Sequence, residues 1–196
     1  MSVATANPVL TPDELLTMPN EGDYELVDGE LRERKLMSSL SSWVGGRISR
    51  LLGMYADDRG LGWIFPADAG FQCFGEAANI MRRPDVGFVR ADRMAVDQIG
   101  EGYVRIVPDL IVEVISPHDL AEEVEEKIQL FHAVGVPLIW VVSPTTRSVR
   151  VVRSDGSSAY LREGDELSGE GILPGFACPV SSLFLPKSPT QVGPGA

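Results

Sequence analysis

Cysteine, histidine, net positive charge and long apolar runs are all scarce in this chain. The two cysteines, Cys73 and Cys178, make neither a disulfide framework nor a metal-like pair, so a reducing cytoplasm is the expected compartment. The two histidines, His118 and His132, have no partner His or Cys at metal-ligand spacing. His118 reads as a helix-entry residue and His132 as a helix-surface residue. No apolar run approaches the length needed to cross a bilayer. Met1–Pro8 has neither the basic region nor the apolar stretch of a signal peptide. Lys and Arg total 17 against 28 Asp and Glu, a net charge of −11. That balance opposes tight non-specific binding to nucleic acid, which draws on phosphate neutralisation, but leaves room for a local basic groove. Arg47 with Arg50 and Arg82 with Arg83 are candidates for one, weighed against ordinary solvated arginines.

What is present is a globular balance: 196 residues, 44% hydrophobic and 23% charged, enough for one domain with a sizeable core. Thr11-Pro12-Asp13-Glu14 starts a short helix, with Thr as cap and Glu three residues on. Asp28-Gly29 is a two-residue turn between Tyr24–Val27 and Glu30–Glu33, hence a hairpin. Ser38–Arg59 carries apolar residues at helical spacing and stops at Gly60, while Gly45-Gly46 in its middle suits a close approach by a strand. Short strands are expected at Gly62–Phe65, Ala69–Phe74 and after Pro84, and a polar connector spans Ala91–Ile106. A second helix follows Pro117, with Asp119 as cap and Glu122 as its capping-box partner, and ends near Gly135. Pro137–Val142, Ser148–Arg153 and Ser157–Leu161 read as strands, and Glu170–Phe176 with Val180–Leu185 close the fold. Strands and helices alternate in the middle with hairpins at both ends, an α/β arrangement around a mixed sheet. One domain over residues 1–185 and a disordered tail over 186–196 are expected.

The chemistry concentrates on one strand. Val107–Pro117 is β-branched and aliphatic, the composition of a buried central strand, yet Glu113 sits in its middle. An ionised carboxylate there costs several kcal/mol unless a cation compensates it. The following helix supplies one: Lys127 falls on the face of Leu120, Val124, Ile128 and Phe131, towards the sheet. Taken alone, this pair could simply hold the helix on the sheet. Asp85, after Pro84 at a strand start, adds a second carboxylate, and two carboxylates with one ammonium suit a divalent cation.

Pro84-Asp85, Glu113-Val114-Ile115 and Lys127 together resemble the PD-(D/E)XK, or restriction-endonuclease-like, superfamily, and more narrowly the Uma endonuclease family within it. The similarity covers most of the chain. Tyr24–Leu31, Arg83–Val86, Pro108–Pro117, Lys127, Gly135-Val136 and Trp140–Pro144 match that family's segments. The superfamily places its lysine two residues after the glutamate; here that position is Ile115, and Lys127 delivers the ammonium from the helix. A second Pro-Asp at Asp109 reads as strand-entry chemistry. Ser41-Ser42-Trp43 stands where the family often has a histidine, and Phe131 where it usually has tyrosine.

The resemblance implies a restriction-endonuclease-like fold, a central mixed sheet flanked by helices. It implies a Mg²⁺-dependent (or Mn²⁺-dependent) endonuclease acting on DNA. Asp85, Glu113 and the Val114 carbonyl would hold the metal, Lys127 would position the attacking water, and Glu25 would touch the metal or hold Lys127. Ser116 reads as a turn or cap residue. A membrane partner is not expected, and a homodimer is compatible with cutting two strands. The rival reading is a non-catalytic nuclease-fold module for partner binding or regulation, which the acidic charge favours. Hydrolysis of RNA or a nucleotide is a third.

Overall fold

The computed structural model describes residues 9–75 and 79–187. The expected tail therefore lies, beyond Lys187, outside the described residues. Helix α1 (Pro12–Leu16) opens with the expected capping box, Thr11 and Glu14 each accepting from the other's backbone N–H. Strands β1 (Tyr24–Val27) and β2 (Glu30–Glu33) pair antiparallel across Asp28-Gly29. Both turn residues have positive φ, 51° and 80°, as a type I′ hairpin turn requires. Helix α2 (Ser39–Asp57) is capped by the Ser38 hydroxyl, which accepts from the Ser41 N–H.

A six-stranded sheet forms the centre. Its strands are β3 (Gly62–Pro66), β4 (Val86–Arg90), β5 (Leu110–Val114), β6 (Leu138–Ser143), β7 (Ser148–Arg153) and β8 (Ser158–Arg162), in that spatial order. All neighbours are antiparallel except β5 and β6, which run parallel. A parallel pair needs a crossover, and helix α3 (Ala121–Ala133) supplies it. The sheet is thus mixed and flanked by helices, as expected. Val44, Ile48, Leu52 and Ala56 of α2 pack with Leu110, Val112, Val114 and Trp140 on one face. Ile128 and Phe131 of α3 pack with Ile111, Ile139 and Val141 on the other. Alternate residues of β5 therefore serve opposite layers, and Glu113 falls on the α3 side with Ile111.

The C-terminal part forms a small antiparallel pair, β9 (Glu166–Ser168) with β10 (Ala177–Pro179), ending in a 3₁₀ turn at Val180–Leu183. It brings Leu167, Leu173, Phe176 and Val180 to the α2 side of the core. No helix among the described residues is long and apolar enough to cross a membrane.

Several local expectations need correction. Ala69–Phe74 forms no strand; only Phe71 bridges, to Arg82 and Val104. It is held by packing, since its ring lies where a Gly87 side chain would otherwise project. Helix α3 begins at Ala121 after Leu120, and Asp119 does not cap it, because its carboxylate accepts from the Ser116 N–H instead. Leu120 consequently stays 59% exposed, off the buried stripe. Of the glycine pair, Gly45 meets Val114 at ordinary contact distance and Gly46 faces open space, so no close approach depends on them. Arg82 and Arg83 are buried in ion pairs, not displayed as a basic groove.

Candidate active site

Strand β5 outruns its neighbour. Its pairing with β4 ends at Val112, opposite Val86, so the β4-facing edge of Val114 is left open. Asp85 fills that gap. Pro84 before it has no N–H to offer a ladder, and Asp85 turns its side chain to the strand end, where Oδ2 accepts the Val114 N–H at 2.6 Å. An extended residue presents its N–H and C=O on the same edge, so the Val114 carbonyl faces the Asp85 side as well.

Helix α3 delivers Lys127 to the same place. Its ammonium lies 3.0 Å from Glu113 Oε1 and 3.0 Å from Glu25 Oε1, and donates to the Arg83 carbonyl at 2.6 Å. The Arg83 carbonyl takes the ammonium's hydrogen bond, while the two carboxylates face it as ion-pair partners. Glu25, on β1, is the better held carboxylate: Oε1 also accepts the Arg83 N–H at 2.6 Å, and Oε2 lies 3.1 Å from Arg82 Nε in an ion pair. Glu113 is held less firmly. Its contact with Lys127 is an ion pair whose angles make no hydrogen bond, and buried Oε1 accepts none among the described residues.

The electrostatics separate these carboxylates. Burial pushes the Glu113 carboxyl up to about 8; Lys127 pulls against this, while the charges of Asp85 and Glu25 reinforce it. Burial also raises Asp85, against the pull of Lys127, the Val114 N–H and Arg34. For Glu25 burial acts upward too, but Lys127, Arg82 and the Arg83 N–H outweigh it and hold the carboxyl below its ordinary value. Lys127 is lowered by burial, yet Glu113 and Glu25 leave it above the ordinary lysine value, a standing cation at neutral pH.

These groups line a cleft of about 370 Å³. Arg34, Lys35 and Met37, following β2, contribute to its wall, as do Glu123, Glu126 and Lys127 of α3. Lys35 reaches Glu123 in an ion pair that joins the two segments. No group of three or more His, Cys, Asp or Glu side chains among the described residues forms a metal cage. The donor set is smaller: two carboxylates, one with an unsatisfied buried oxygen, and a strand-end carbonyl. That set fits a hard cation which keeps waters and takes substrate oxygens, as Mg²⁺ does.

The family model for Uma2, described as "Putative restriction endonuclease", matches residues 12–181. The chain belongs to the Uma2 family. Among solved structures it is similar to a protein from Anabaena variabilis ATCC 29413, described as a "putative nuclease belonging to DUF820". The two share 18% identity with a TM-score of 0.77, over 89% of this chain and 97% of that one, a likeness of fold. No curated protein matches the chain.

In this Uma2 chain, Glu113, Lys127 and Glu25 are brought into direct contact, with Asp85 on the adjoining edge of β5. Asp109 lies elsewhere: it accepts from the Arg90 N–H and the Arg93 guanidinium at the entry of β5, so its part is structural. Ser116 takes a turn role, accepting from the Ser38 N–H. His118 is exposed. Sequence reasoning missed the Arg82–Glu25 pair, the Arg83 carbonyl that receives Lys127, and the Arg34-Lys35 wall. Only the last had a sequence signal, two consecutive cations directly after a hairpin in an acidic chain.

Proposed function

We propose that this chain is a Mg²⁺-dependent endonuclease that hydrolyses phosphodiester bonds of DNA. The reading is supported by the family match and carried by one observation: an ammonium fixed against Glu113 at the end of a strand whose open edge holds Asp85. Asp85, Glu113 and the Val114 carbonyl would hold the ion, which when bound supplies charge neutralisation at the phosphate and a more acidic water. Lys127 is held as a cation by Glu113 and Glu25, so it cannot serve as a base. Its part is to donate: it orients the attacking water and stabilises negative charge that develops on the phosphate. Glu25 keeps the ammonium in place, with both oxygens engaged by Lys127, Arg82 and Arg83. A double-strand break needs two such sites, which a homodimer would supply.

The test is cleavage of supercoiled plasmid in Mg²⁺ or Mn²⁺. Asp85→Ala should lose activity to background, Lys127→Met should lose about 10²–10³-fold, and EDTA should abolish cleavage. Thermal melts establish that both variants fold. Equal cleavage by wild type and both variants would identify a contaminant. A folded wild type without turnover would favour the non-catalytic module.

A further inference from the structure

The cleft holds more cations than the hydrolytic step uses, and most are neutralised where they stand. Arg82 faces Glu25 at 3.1 Å, Arg83 pairs with Glu21, and Lys127 lies between Glu25 and Glu113. Arg34 differs. Its guanidinium is fixed by two backbone carbonyls, Gly22 at 3.1 Å and Ala67 at 3.2 Å, and its own N–H donates to the Asp23 carbonyl at 2.7 Å. Carbonyls orient a guanidinium without cancelling its charge. The closest carboxylate among the described residues is Asp68, 3.9 Å away and 99% exposed. Arg34 also lies near enough to Asp85 to favour its ionised form. Beside it, Lys35 carries the one cation of the wall that is paired across to α3, with Glu123. Both partners are well exposed, so the pair is weak and exchangeable.

We infer that Arg34 and Lys35 form the phosphate clamp of this cleft. Arg34 is a standing fork for one backbone phosphate of the substrate. Lys35 is a second contact, occupied by Glu123 until the substrate's next phosphate displaces the carboxylate. Bidentate guanidinium–phosphate geometry gives Arg34 register as well as charge. Lys35 adds only charge. Neither reads a base, so the clamp accepts any sequence. This inference rests on the nuclease reading, and the following experiment separates the two.

Binding is measured by fluorescence anisotropy with a labelled 20-nucleotide single strand and a 20-base-pair duplex of two unrelated sequences. Ca²⁺ replaces Mg²⁺, and NaCl is varied. Arg34→Gln should weaken binding equally for both sequences and lower the salt slope by about one. Arg34→Lys should keep the slope and lose affinity. Glu123→Gln should tighten binding, and the gain should vanish when Lys35→Gln is added. Glu122→Gln, on the same helix but unpaired with Lys35, controls for general charge. If Arg34→Gln fails to fold, the exposed Lys35–Glu123 pair decides by the same cycle. An unchanged slope in Arg34→Gln, or a Glu123→Gln gain that survives loss of Lys35, overturns the clamp. If wild type binds neither DNA and leaves plasmid uncut, the nuclease reading fails first. If it cuts plasmid and Arg34→Gln cuts with the same KM, only the clamp fails.

Discussion

Glu113 is held by opposing forces. Burial alone would neutralise it, Lys127 alone would ionise it, and the balance leaves its carboxyl at about 8 against an ordinary value of 4.5. A carboxyl raised in the folded chain stabilises the fold at low pH and loses that contribution as pH rises through the folded value. In EDTA, the melting temperature should therefore fall as pH is taken from about 5 to 8, the span between the ordinary value and the folded one, and level off above it. Asp85, also raised by burial, acts in the same direction above its own ordinary value. Glu25, lowered, contributes above the ordinary carboxylate range and fades only in acid. Glu113→Gln should remove most of the slope, because a neutral amide has no proton to lose. Mg²⁺ should raise the melting temperature more at pH 8 than at pH 6, since an ion bound by Glu113 takes the ionised form. A flat wild-type profile in differential scanning fluorimetry would contradict this picture of the carboxyl.

Among the elements, β4 shows how packing sets the site. Gly87 lies under the Phe71 ring, and a methyl there would come within 2.4 Å of Phe71 Cζ. Phe71 is fully buried and ties the non-strand segment 69–74 to Arg82 through two backbone hydrogen bonds. Gly87→Ala should destabilise the protein by about 1–3 kcal/mol through overpacking, read as a lower urea midpoint. The stabilising effect of Mg²⁺ should persist, because Asp85 and Glu113 are untouched. Elements with local causes were legible in the sequence. The Thr11–Glu14 box, the Asp28-Gly29 turn and the apolar β5 run each carry their own chemistry, and Lys127 declared itself by its place on the α3 stripe. What was not legible depends on distant partners. Phe71 looks like a strand residue until the bare face of Gly87 is known. Arg82-Arg83 looks like a surface basic pair until Glu25 and Glu21 fold over it. Asp119 has a capping-box sequence, yet Ser116 claims its carboxylate first.

For the whole molecule, the decisive quantity is the net charge of −11. A polyanion approaching this chain meets repulsion at long range, and the cleft itself adds Asp85, Glu113, Glu123 and Glu126. Local cations can offset this only partly, since most are already paired. The largest available relief is a divalent ion between the carboxylates and the phosphate. Binding of DNA should then be weak in EDTA and strengthen in Ca²⁺, which serves as a non-turnover substitute. Removing one carboxylate charge should imitate part of that relief. Asp85→Asn should bind DNA more tightly than wild type in EDTA, while gaining little from Ca²⁺, so the two proteins change order as the ion is added. Anisotropy at one fixed ionic strength reads this directly, because screening by added salt would otherwise shrink both effects. Equal wild-type affinity in EDTA and Ca²⁺ would mean that the acidic residues of the cleft do not face the bound phosphates. The DNA would then have to dock on another face, and Asp85 and Glu113 would revert to a buried charge network that holds α3 on the sheet.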